Sequence, residues 1–141
     1  MIGEQVSCEL PATARSVTAA RRFVVDALNS WGRDELADTA ALLTSEVVTN
    51  AVLHARTVMD VVVRLLSDGV VVEVTDGSRH SPRGRQPTLE STTGRGLELL
   101  DRLASAWDVQ VSPTGKTVRF TLKDGVDPWA QFTAHEWAAD K

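Results

Sequence analysis

Apolar positions set the first divisions of the chain. From about Thr13 to Trp31, Val17, Ala20, Phe23, Val24 and Leu28 recur at spacings of three and four, the period of a helix with one buried face. Gly32 supplies the stop. A second helix is expected from about Asp34 to His54, with Leu36, Ala40, Leu43, Val47 and Ala51 as its apolar stripe. Thr57–Leu66 and Val70–Asp76 read as strands joined at Ser67-Asp68-Gly69, the firmest hairpin signal in the sequence. Val6–Leu10 predicts a short strand closed by Pro11. Trp107–Ser112 and Thr117–Lys123 predict two more, linked at Pro113-Thr114-Gly115. Gly96–Ala104 reads as helix, and Pro128–Trp137 as a short helix opened by Asp127 and Pro128. Helices combined with a mostly antiparallel sheet predict an α+β domain, a two-layer α/β sandwich.

Composition narrows the class. At 141 residues the chain has the size of one domain, and such a domain buries roughly 68–70% of its unfolded surface. No repeat or linker divides it. Hydrophobic residues make up 43% and charged residues 24%, which argues against wholesale disorder. Fifteen basic and nineteen acidic side chains give a net charge of −4, a poor balance for direct nucleic-acid binding. Cys8 is the only cysteine, so neither an internal disulfide nor a cysteine-based zinc site is available. No stretch resembles a signal peptide, and no apolar run approaches a membrane span; a cytoplasmic protein is expected.

Several residues are not explained by local structure. On a wheel of ~100° per residue, Glu46, Asn50 and His54 lie within about 60° of Leu43, beside the stripe that should face the sheet. A carboxylate there needs a hydrogen-bonding partner, a cation or a proton. Oxygen ligands of this kind also suit Mg²⁺, although a polar rim satisfied by backbone explains the spacing equally well. Asp76 continues the face of Val70, Val72 and Val74 at a strand end, where it either receives a ligand or simply opens a turn with Gly77. Residues 77–95 lack periodicity and carry Arg79, Arg83, Arg85 and Arg95 against Glu90, the composition of a binding loop or lid. The loop ends in Gly94-Arg95-Gly96 at a helix start, where free backbone N–H groups favour phosphate. Trp129, Phe132 and Trp137 fit a docked tail better than a partner surface.

In this order, LLTSEVVTNAVLHA (42–55), VEVTDGS (72–78), TTGRGLELLDRLASAWDV (92–109) and GKTVRF (115–120) resemble the anti-sigma-factor serine kinases. These belong to the Bergerat-fold, histidine kinase-like ATPase superfamily, with gyrase, MutL and the histidine kinases. The resemblance covers about residues 6–123 and is strongest to the small single-domain regulators of actinobacteria. It implies a mixed, mostly antiparallel sheet covered by helices, with a long ATP lid. It also implies ATP and Mg²⁺ as cofactors. Asn50 matches the Mg²⁺-binding asparagine, and Glu46 the acidic residue that acts as general base or orients the nucleophile. Asp76 matches the aspartate that accepts from the adenine amino group. Gly94 and Gly96 match the glycines at the lid's end, with Gly77, Arg79, Arg95 and Leu97 among the implied nucleotide contacts. Thr117 matches a threonine that supports the adenine site, yet strand alternation puts it opposite Val118, Phe120 and Leu122.

One departure concerns the lid hinge. The superfamily has glycines two and four positions after the adenine aspartate, whereas this chain has Ser78 and His80, with Gly77 directly after Asp76. The resemblance implies a protein serine/threonine kinase that phosphorylates an anti-anti-sigma, STAS-type partner and sequesters a sigma factor. A non-catalytic, nucleotide-dependent binding module shares every motif. Relatives in mechanism often form homodimers. Neither direct nucleic-acid contact nor membrane contact is expected.

Overall fold

A computed structural model describes residues 4–77 and 95–128, with residues 95–97 described for the backbone only. Strand β1 (Gln5–Leu10) is followed by helix α1 (Arg15–Ser30), a 3-10 turn (Asp34–Leu36) and helix α2 (Ala37–Asn50). A π turn (Ala51–Ala55) extends α2. Strands β2 (Met59–Leu66) and β3 (Gly69–Asp76), helix α3 (Arg95–Leu103), and strands β4 (Ala106–Ser112) and β5 (Gly115–Lys123) complete the order. The long loop and the expected C-terminal helix lie outside the described residues, apart from Gly77 and Pro128.

The five strands form one sheet in the order β1-β2-β3-β5-β4, with every pairing among the described residues antiparallel. The sheet expected to be mostly antiparallel is thus antiparallel at each of these pairings. The chain leaves β3, returns through α3, and inserts β5 between β3 and β4, so β3 and β4, which run the same way, never touch. Both hairpins are tight. Leu66 pairs with Gly69 across Ser67-Asp68, and Ser112 pairs with Gly115 across Pro113-Thr114, so each glycine belongs to a strand rather than to its turn.

Alternation sorts the sheet into two faces. Val61, Val63, Val70, Val72, Phe120 and Leu122 point inward and are buried against the helices. The stripe expected on the second helix, Leu36, Ala40, Leu43, Val47 and Ala51, is buried throughout, and Val48 and Thr44 join it. Alanines at positions 20, 27, 37 and 40 are buried where α1 and α2 meet, which permits close approach of the two backbones. Burying each valine or leucine of this core contributes about 1.5–3 kcal/mol. The stretch Asp34–Ala55 is long and apolar enough to cross a membrane by length and composition, contrary to expectation. Its buried stripe shows the use made of that apolarity here: it is the central core helix.

The outer face is polar and cross-linked. Arg64 donates to Gln5 (3.1 Å) and to Glu73 (2.9 Å), and Arg119 donates to Glu73 (2.7 Å) and Asp108 (3.3 Å). One chain of contacts thus crosses all five strands, and Glu73, on the open side of the sheet, is only 7% exposed beneath its two arginines. Arg119 is held even further above its high ordinary pKa by the hydrogen bond to Glu73.

Candidate nucleotide site

Helix α2 carries the first part of the site. Glu46 and Asn50 are half-buried, one turn apart, at the edge of the buried stripe. The side-chain oxygen of Asn50 is buried and has no hydrogen-bond partner among the described residues. Leaving such an oxygen unpaired costs about 1–3 kcal/mol, which a cation or donor arriving from outside the helix would offset. Oδ1 is a hard acceptor, and the residues present therefore fit Mg²⁺. No cluster of three His, Cys, Asp or Glu side chains that could hold a metal ion occurs among the described residues.

His54 does not join them. It is exposed, because the helix widens into the π turn at Ala51, where the Arg56 N–H reaches back five residues to the Ala51 carbonyl (3.2 Å). The wider turn rotates His54 off the face that a regular helix would give it. Arg56 then ends the helix in the left-handed region (φ 59°) and turns the chain toward β2.

The second part lies at the end of β3. Asp76 points inward, continuing the valine face, and is buried. Its register partners are Met59 on β2 and Lys116 on β5. Lys116 Nζ stands 3.8 Å from Asp76 Oδ2. β5 approaches closely because Gly115 has no side chain: a Cβ there would collide with the Asp76 carbonyl oxygen. Next in the chain, the Gly77 N–H donates to Thr57 Oγ1 (2.7 Å), fastening the start of the long loop to the segment that follows α2.

Thr117 requires a correction. It pairs with Thr75 across the strands, and the two hydroxyls lie 2.8 Å apart on the outer face of the sheet. Side chains alternate strictly along β5, so Thr117 and Asp76 are on opposite sides and the residue facing Asp76 is Lys116. The sequence motif drew attention to the threonine. The alternation of Val118, Phe120 and Leu122 is the signal that, carried one position further, could have found Lys116. Thr57 had no comparable signal, since its role depends on the path of the chain after the π turn.

Of the other expected contacts, Gly77 adjoins Asp76, while Arg79 and Gly94 lie outside the described residues. Arg95, Gly96 and Leu97 form the first turn of α3, which begins one residue before the expected start. Here the backbone N–H groups of a helix N-terminus follow the segment expected from the sequence to be a loop.

Residues 10–122 match the histidine kinase-like ATPase domain model. No curated protein matches the chain. Among solved structures, the RsbU and RsbW domains of Rv1364c from Mycobacterium tuberculosis are similar, with a TM-score of 0.66 and 22% identity. The match covers 86% of this chain and 32% of that one, so the chain spans about a third of the solved chain's length. At that identity the likeness shows the fold. The family match, by contrast, takes in α2 with Asn50, β3 with Asp76 and β5 with Lys116, and on this ground the chain belongs to the histidine kinase-like ATPase domain family.

Proposed function

We propose that this chain is a cytoplasmic, ATP-binding regulator of the anti-sigma type that phosphorylates a serine or threonine of a STAS-type anti-anti-sigma partner and sequesters a sigma factor. The carrying observation is the buried, unpartnered oxygen of Asn50, one helical turn after Glu46, in a family whose domain is an ATPase. The motif resemblance to anti-sigma-factor kinases supports the choice of reaction and partners, and the likeness to the structure containing an RsbW domain agrees with it.

In this reading Asp76 accepts from the adenine amino group, and the amide of Asn50 holds Mg²⁺. When bound, the ion neutralises phosphate charge during transfer. Glu46 orients the partner's hydroxyl and takes its proton as the oxygen attacks the γ-phosphorus and the bond to the β-phosphate oxygen breaks. Gly94 and Gly96 leave room for phosphate to approach the start of α3. Phosphorylation then adds up to about two negative charges to the partner, which disrupts its contact surface and frees the kinase for its sigma factor.

Calorimetric titration of ATP with and without Mg²⁺ tests the site. Wild type should bind in a Mg²⁺-dependent manner, and Asn50→Ala and Asp76→Asn should each weaken binding about 10–100-fold. Transfer is tested separately, with radiolabelled ATP and a STAS-type partner. Glu46→Ala should retain ATP and lose phosphorylation. ATP binding by wild type without transfer to any such partner would leave a nucleotide-dependent binding module instead.

A further inference from the structure

Lys116 has no role in the motif resemblance, yet it occupies the place beside Asp76. The two are register partners on adjacent antiparallel strands, so their side chains share the inner face. Their side chains are 18% and 3% exposed, respectively, so the ammonium is held over the site rather than trailing into solvent. The close approach of Gly115 to the Asp76 carbonyl fixes the strand spacing at this point. At 3.8 Å the contact is an ion pair longer than an N–H···O hydrogen bond. The carboxylate therefore does not consume the three donors of the ammonium.

A carboxylate beside an ammonium presents an acceptor next to a donor. Adenine presents the complement along one edge: the N6 amino donor next to the N1 acceptor. We propose that Lys116 is a second base-reading residue, its Nζ donating to adenine N1 while Asp76 accepts from the N6 amino group. The inference rests on the ATP reading above and deepens it. Its consequence is selectivity. Guanine and hypoxanthine present an acceptor, O6, and then a donor, N1–H, in the reverse order. In the same pose both contacts are mismatched, so the base is checked at two atoms rather than one.

The test exchanges one ligand atom against one side chain. ATP and 1-deaza-ATP, in which a C–H replaces N1, are titrated with Mg²⁺ into wild type, Lys116→Met and Lys116→Gln. Wild type should bind the analogue about 10–100-fold more weakly than ATP. Lys116→Met should bind the two equally, and Lys116→Gln, which keeps an N–H donor, should recover part of the difference. The readout is a ratio of two affinities within each protein, so a general loss of stability or of Asp76 geometry cancels. An analogue penalty equal in all three proteins would overturn the role of Lys116 while leaving ATP binding intact. Failure of wild type to bind ATP at all would overturn the ATP reading and this inference together.

Discussion

Cys8 shows how far burial alone shapes the chemistry of one side chain. It lies half-buried on β1, packed against the core opposite Val61. Burial, with a smaller contribution from the charge of Asp60, pushes its thiol above the ordinary value of 9.0. Because the thiolate is the reactive form, iodoacetamide should alkylate Cys8 of the folded protein at neutral pH more slowly than it alkylates the urea-unfolded chain. Equal rates would contradict the burial. The sign for stability follows from the same shift. The folded state holds the proton more tightly, so this contribution is complete below the ordinary thiol value and is lost as pH rises through the folded one. Lys116 and Thr117, adjacent in sequence, make a related point: strand alternation gives one to the candidate site and the other to a hydroxyl pair on the far face.

Elements owe their positions to sequence signals of unequal clarity. The stripe of α2 is legible because five apolar residues repeat at helical spacing, and every one of them is buried. Its π turn is not, since Ala51–Ala55 carries no residue that demands a wider turn. Glu73 is the corresponding case in the sheet. Alternation assigns it to the outer face, where a carboxylate is ordinary, but only the register of β2, β3 and β5 reveals that Arg64 and Arg119 converge on it. Glu73→Gln should lower stability in urea denaturation by about 1–2 kcal/mol, a value below that of a fully buried pair because both arginines are partly exposed. Asp108→Ala, at the solvent end of the same chain of contacts, should cost less than ~0.5 kcal/mol. Equal costs would show that Glu73 is not the hub.

At the scale of the molecule, the fold class and all five strands could be read from apolar pattern and turn residues. Glu46, Asn50 and Asp76 could be singled out as polar residues on or beside apolar faces. How they are arranged relative to Lys116 could not, because Asn50 and Asp76 are 26 positions apart in the chain and Asp76 and Lys116 a further forty. Those separations make ATP a ligand that reports on the whole fold. At one hundred times its dissociation constant, ATP with Mg²⁺ adds about 2.7 kcal/mol, which should raise Tm by roughly 10 °C. Asn50→Ala should forfeit most of that increase at the same ATP concentration, and an unmoved wild-type Tm would argue against nucleotide binding.

The insertion of β5 between β3 and β4 also sets an order of assembly. As the chain emerges from the ribosome, β1, β2 and β3 can already pair with one another, whereas β4 appears before the strand it must lie against. Only when β5 follows does β4 gain a neighbour, and with β5 come Gly115 and Lys116 beside Asp76. In the proposed reading, base recognition thus depends on β5, the last strand among the described residues. A nascent chain stopped short of residue 115 would carry Glu46, Asn50 and Asp76 and still lack the strand that places Lys116 beside Asp76. Nucleotide binding would then begin only once translation has passed the final strand of the sheet.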